Sequence, residues 1–174
     1  FLLFGVDKGG GNTDTIMIGA YDIQKQALSV VSIPRDTMIH SDHSNKKINA
    51  TFARGGVSGL ENSLEDMLGF PVDFYVKVNL AAFEKIVNAV GGVYYDVPPG
   101  MQYVDPTQDL YIDLQPGYQL LDGDKALQLV RCRSAYASQD IGRMETQQKF
   151  LKALAKQTLK ASNLTKVREL ASIV

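Results

Sequence analysis

The sequence predicts an α/β fold, a three-layer α/β/α sandwich around a central mixed β-sheet with helices on both faces. Three observations predict it. Three Ile-, Val- and Leu-rich runs fall within the first 35 residues and read as strands covered on both faces. Strand-like and helical segments then alternate, the pattern of layered α/β domains. The composition, 45% hydrophobic and 21% charged over 174 residues, suits one soluble domain with a real core.

Taken in order, residues 1–6, 15–20 and 28–33 are the three apolar strands. Residues 47–54 and 59–68 read as short helices, and 74–78 as a further strand. Residues 81–90 form a helical pattern stopped by Gly91-Gly92, and 93–97 a strand ended by Pro98-Pro99. The stretch 100–117 is polar and turn-rich, with Pro106 and Pro116, and carries a short strand around 111–114. Residues 121–130 and 141–160 are helical, and 165–173 reads as one more helix. The chain contains no repeat, linker or low-complexity segment.

Charge narrows the function. A net charge of -1 gives no global basic field to attract nucleic acid or an anionic membrane, so any anion must be bound locally. The single Cys132 cannot form an internal disulfide, and no Cys/His cluster exists to hold zinc. No apolar run approaches the ~18 residues that span a bilayer. Because Phe1 opens directly on Leu2-Leu3-Phe4 with no initiator Met, residues 1–174 are expected to be one excised domain, with any signal or membrane anchor preceding it.

Four arginines stand in or beside apolar segments: Arg35, Arg131, Arg133 and Arg143. Arginine is almost never buried without a partner, so this placement points to a half-buried polyanion, with phosphate leading. In the long helix from Ile141, Arg143, Gln147, Leu151 and Ala155 follow an i, i+4 ladder. Asp140 lies three residues before Arg143, so acid, guanidinium and amide project from the first turns, where the free N–H groups also favour an anion. A solvated first turn capped by Asp140 accounts for this segment equally well when it is taken alone. Arg131 and Arg133 share a side only if the helix before them has ended. Cys132 between them then faces the core and is packing rather than a nucleophile.

Arg35 follows Pro34 at the end of an apolar strand, the usual position for ligands in open α/β sheets, and Asp36 beside it is placed to orient it. Asp7 ends one strand and Asp14 opens the next. Two such carboxylates suit Mg²⁺, which takes one or two protein carboxylates and completes its shell with water and phosphate oxygens, although strand-end aspartates are common without a metal. Gly9-Gly10-Gly11 is no phosphate-binding P-loop, since no Gly-Lys-Ser/Thr follows. His40 and His43 lie in a polar loop and read as solvated.

Several of these segments, in this order, resemble the LytR-CpsA-Psr family: Phe4-Gly5-Val6-Asp7, Thr13-Asp14-Thr15, Val31-Ser32-Ile33-Pro34-Arg35-Asp36-Thr37, Lys47-Ile48-Asn49-Ala50, Val90-Gly91-Gly92-Val93, Leu121-Asp122-Gly123-Asp124-Lys125-Ala126-Leu127, Arg131-Cys132-Arg133, and Asp140-Ile141-Gly142-Arg143 with Gln147. The resemblance implies an extracytoplasmic phosphotransferase of the bacterial envelope, held to the membrane by an N-terminal anchor. Its partners would be a polyprenyl-pyrophosphate-linked glycopolymer, such as teichoic acid or a capsular polysaccharide, and a peptidoglycan acceptor, joined by a phosphodiester. It implies an apolar lipid tunnel between sheet and helices.

By the same resemblance Asp7 and Asp14 are the Mg²⁺ ligands, with Mn²⁺ as substitute, and Arg35, Arg131, Arg133 and Arg143 are the pyrophosphate-binding arginines, with Gln147 beside them. Arg35, Asp36, Asp140 and Arg143 are the expected catalytic set. Two departures remove positive charge: Asn12 and Thr146 stand where the family pattern often carries arginine. A non-catalytic lipid-pyrophosphate-binding module or regulator would use the same arginines, and a pyrophosphatase would use the same site with water in place of the sugar hydroxyl. Phosphoryl transfer needs alignment and charge neutralisation more than covalent chemistry by the protein, which is what arginines and Mg²⁺ supply.

Overall fold

The structure, a computed structural model, describes residues 1–158 apart from Asp7, Lys8, Gly10, Gln26 and Asp109. The expected helix at 165–173 and the last two residues of the one expected at 141–160 lie outside the described residues. The chain is mixed α/β and divides into two compact units, Phe1–Leu80 and Ala81–Val174.

In the first unit, strands β1 (Leu2–Val6), β2 (Thr13–Asp22) and β3 (Ala27–Ser32) are followed by helix α1 (Asn49–Leu68) and strand β4 (Tyr75–Val78). They form a four-stranded sheet in the order β3-β2-β1-β4, with β1 antiparallel to β2 and parallel to β4, so the sheet is mixed as expected. Alternation sets the core face: Leu2, Phe4 and Val6 of β1 are buried with Ile16 of β2 and with Leu60 and Leu64 of α1. Burying each such Leu or Phe fully contributes ~1.5–3 kcal/mol. Phe4 also meets Phe52 of α1, ring centroids 5.3 Å apart.

One expectation for this unit is corrected. β3 is not covered on both faces: Leu28 and Val31 are exposed, because β3 is the edge strand and pairs only with β2. The span α1 holds two helices, as expected, meeting at a kink at Gly56 (φ 61°, ψ -149°), a conformation that only glycine adopts without strain.

The second unit contains α2 (Leu80–Ala89, its first residue at the boundary), β5 (Val93–Val97), β6 (Gln102–Asp105), a 3₁₀ turn (Pro106–Gln108), β7 (Leu110–Asp113), β8 (Gly117–Leu121), α3 (Gly123–Arg131) and α4 (Asp140–Thr158). Here the strands pair among themselves, β5 with β8 and β6 with β7, both antiparallel. Strands β6 and β8 were not foreseen, and Leu121 ends β8 instead of opening a helix. α3 starts two residues later because the Asp122 side chain accepts the Lys125 N–H at 2.9 Å, a standard N-cap. Gly123 N–H donates to Asn88 Oδ1 at 2.8 Å, tying α2 to the start of α3. Val87, Val93, Val97, Ile112, Leu121, Leu129 and Phe150 form the core.

Candidate functional site

At the start of β2 the ladder carries a bulge. Gly5 stands opposite Thr15 but Val6 opposite Thr13, so Asp14 has no partner residue across the strand pair. Bulges re-aim side chains, and this one leaves the Asp14 carboxylate to accept from Arg35 Nη1. Arg35 sits in a turn closed by Thr37 N–H to the Pro34 carbonyl at 2.9 Å, and its own carbonyl accepts the Asn49 N–H at 3.1 Å. The strand end, the turn and the first turn of α1 therefore fix one guanidinium beside one carboxylate. Asp36 does not orient Arg35 as expected; its carboxylate pairs with Lys47 at 3.1 Å, and both side chains are largely exposed.

Asp7, the other expected metal ligand, lies outside the described residues. Among the described residues no group of three or more His, Cys, Asp or Glu side chains is arranged to hold a metal. Asp14 offers one hard carboxylate oxygen of the kind that Mg²⁺ takes, and such a ligand fits an ion that draws its remaining ligands from water and phosphate. His40 and His43 are exposed, in keeping with a solvated loop.

In the second unit α3 ends at Arg131, and Cys132 is extended (φ -65°, ψ 129°) and fully buried. The helix has ended where it must for the arginine pair to escape opposite faces. Arg133 follows, and a series of turns, Tyr136 N–H to Arg133 carbonyl and Gln139 N–H to Tyr136 carbonyl, delivers the chain to α4. There Asp140 Oδ1 accepts from Arg143 Nη2 at 2.7 Å and faces Arg133 Nε at 3.5 Å. One carboxylate thus bridges two guanidiniums, one of them only 5% exposed. Arg131 has no ion-pair partner among the described residues. Two guanidiniums against one carboxylate, at the N-terminus of a 19-residue helix, leave positive charge that a phosphate group would neutralise.

Gln147 serves this cluster indirectly, donating from Nε2 to the Val130 carbonyl at 3.0 Å and so pinning α4 to the end of α3 just before Arg131. The inward face of α4 is rotated from the expected ladder: Gly142, Arg143, Thr146 and Phe150 are buried, whereas Gln147, Leu151 and Ala155 are half-buried. The cause is Tyr136. Its ring lies where a Cβ on Gly142 would stand, 2.4 Å from Tyr136 Cβ, and its hydroxyl hydrogen-bonds Thr146 Oγ1 at 2.5 Å. Sequence reasoning missed Tyr136 and Tyr95, whose phenols are both pushed up by burial. Gly142 spaced four residues before Thr146 was the available signal, a small face on which a ring can lie.

The fold is mixed α/β, with an Asp–Arg pair at a strand end in the first unit and two arginines around one aspartate at a helix start in the second. The LytR_cpsA_psr family model matches residues 1–174, and the chain belongs to that family. It is 33% identical over 178 residues to the polyisoprenyl-teichoic acid–peptidoglycan teichoic acid transferase TagU of Bacillus anthracis, covering 99% of this chain and 57% of that protein. The solved structure of TagT bound to LIIa-WTA superposes with a TM-score of 0.81 at 30% identity, covering 95% of this chain and 65% of that one. YwtF (TagT) with bound octaprenyl pyrophosphate lipid matches with a TM-score of 0.75 at 28% identity, covering 97% and 70%. The chain spans about half the length of the curated relatives it matches.

Proposed function

We propose that this chain carries the catalytic region of a phosphotransferase that moves a glycopolymer from a polyprenyl-pyrophosphate carrier to a peptidoglycan hydroxyl. The observation that carries this reading is the pair Arg133 and Arg143 around Asp140 at the start of α4, with Arg131 two residues before Arg133 at the end of α3. Support comes from relatives named as teichoic acid transferases and from a related structure with a polyprenyl pyrophosphate bound. In this reading the lipid tail would occupy an apolar tunnel, and the protein would act on the extracytoplasmic face of the membrane, held there by an N-terminal anchor. Among the described residues no helix is long and apolar enough to cross a membrane.

The acceptor hydroxyl attacks the phosphorus that bears the polymer. A new P–O bond to the acceptor forms, the bond to the bridging oxygen breaks, and polyprenyl monophosphate leaves. Charge gathers on that leaving phosphate; Arg133 and Arg143, held by Asp140, would take it, with Arg131 as the third expected donor. The hydroxyl proton would pass to an ionised carboxylate within hydrogen-bond reach; Asp36, paired with Lys47, and Asp140, between its two guanidiniums, are the two expected candidates. Mg²⁺, held by Asp14 and Asp7, would neutralise phosphate oxygens, and Arg35 would both steady Asp14 and offer them a further donor.

The test is titration with an octaprenyl pyrophosphate beside a thermal melt. Arg131→Ala and Arg133→Ala should each weaken binding by ~1.5–3 kcal/mol, the cost of losing a charged hydrogen-bond donor, while the melt stays unchanged. Unaltered affinity would return both residues to a structural role. Binding without metal-dependent transfer would instead favour the non-catalytic module.

A further inference from the structure

A pocket lies wholly within the second unit, on the side of α4 that carries Thr146 and Lys149. It has a volume of about 400 Å³, within the ~300–1,000 Å³ range of small-molecule sites, and is lined by Tyr95, Asp96, Tyr136, Glu145, Thr146 and Lys149. Thr146 Oγ1 hydrogen-bonds the Tyr136 hydroxyl at 2.5 Å, and Tyr95 lines the same pocket, so the pocket carries three hydroxyl-bearing side chains. Burial pushes both phenols up, and they remain neutral donors at physiological pH. The rim has two carboxylates and a single ammonium, and Lys149 Nζ already stands 3.9 Å from Glu145 Oε2. Such a pocket repels phosphate. It offers rings, hydroxyls and carboxylates instead, the groups that bind a neutral polyol.

A second observation adjoins it through Asp96. On the outer face of β5 and β8, Tyr94 and Tyr118 stack with ring centroids 5.6 Å apart and planes within 16°, and they are 50% and 73% exposed. Asp96 stands on that same face directly across from Tyr118. A flat, exposed aromatic surface edged by a carboxylate suits the apolar face and equatorial hydroxyls of a pyranose ring.

We propose that this pocket and the adjoining tyrosine pair bind a glycan strand, one sugar ring in the pocket and the next on Tyr94 and Tyr118. The proposal rests on the glycopolymer-transfer reading for its ligand class, since an acceptor glycan has to be held while its hydroxyl reacts. It adds a sugar site to a chain whose arginines account only for phosphate. Thr146 matters here: with a hydroxyl where the family pattern often has arginine, the pocket's one ammonium, that of Lys149, is faced by the Glu145 carboxylate.

The test is a nuclear magnetic resonance titration of this chain with a β-1,4-linked N-acetylglucosamine tetrasaccharide. Saturable shifts should centre on Tyr94–Asp96, Tyr118, Tyr136 and Glu145–Lys149, and excess inorganic pyrophosphate should not displace the sugar. Tyr94→Ala, Asp96→Ala and Glu145→Ala, all at exposed positions, should each raise the sugar's Kd about fivefold or more, as loss of one good contact would. The same variants should bind octaprenyl pyrophosphate as the parent does. Absence of saturable shifts, shifts centred elsewhere, or affinities unmoved by all three substitutions would overturn the proposal while leaving the pyrophosphate reading standing. Failure of lipid binding alone would strike that reading and leave the sugar site.

Discussion

Asp140, Gln147 and Tyr136 show how much a single residue's role depends on groups far away in sequence. Asp140 was readable as an acid next to Arg143, since three residues on a helix bring side chains together. Its reach to Arg133 was not, because that contact depends on the turns between α3 and α4. Gln147 was legible as polar and inward, but its partner, a carbonyl at the end of α3, belongs to another element. Tyr136 carries a measurable consequence. Its phenol and that of Tyr95 are raised above the usual 10.0 by burial. The folded state therefore holds those protons more tightly than the unfolded chain, so the associated stability is fully present below about pH 10 and is lost as pH rises through the raised values. Urea unfolding from about pH 8 to about pH 11 should show stability falling at the alkaline end, with a shallower fall in Tyr136→Phe. That variant should also be ~0.5–1.5 kcal/mol less stable at neutral pH, having lost its bond to Thr146. Identical alkaline slopes would exclude Tyr136 as the source.

Among the elements, those defined by local pattern were legible and those defined by a distant partner were not. β1, β2, β4 and β5 announce themselves as apolar runs bounded by Gly, Pro or Asp, and α2 by its two glycine stop. β8 has an alternating pattern, Tyr118 and Leu120 outward with Leu121 buried, yet its partner β5 ends twenty residues earlier and no tight turn connects them. β3 looked covered because its composition is apolar; only the sheet order reveals an edge. The bulge at Asp14, which points the carboxylate at Arg35, has no sequence signature at all. α1 was anticipated as two helices, and Gly56 is the reason they meet at an angle. Gly56→Ala should cost ~1–3 kcal/mol, because a Cβ in that backbone region is strained although nothing crowds it. A thermal melt measures this, and an unchanged transition would mean that α1 straightens at no cost.

At the scale of the whole chain, the residues proposed to engage phosphate fall into two groups that the sequence spaces almost a hundred positions apart. Asp14 and Arg35 belong to the unit Phe1–Leu80, and Arg131, Arg133, Asp140 and Arg143 to Ala81–Val174. The order of motifs made both groups legible through the family resemblance, whereas composition alone, with a net charge of -1, gave no sign of an anion site. The division suggests a division of labour that can be measured. An arginine cluster stabilises a pyrophosphate already in the ground state, whereas a metal-binding carboxylate matters most for charge that develops as the phosphoryl bond breaks. Asp14→Asn should therefore leave octaprenyl-pyrophosphate affinity within about twofold of the parent, less than ~0.5 kcal/mol, yet lower the transfer rate by about a hundredfold or more, ~2.7 kcal/mol of transition-state stabilisation. Chelation of divalent cations should reproduce the loss, and added Mg²⁺ or Mn²⁺ should restore the parent but not the variant. Transfer that persists in excess chelator, or equal rates for Asp14→Asn and the parent, would reduce Asp14 to the structural partner of Arg35.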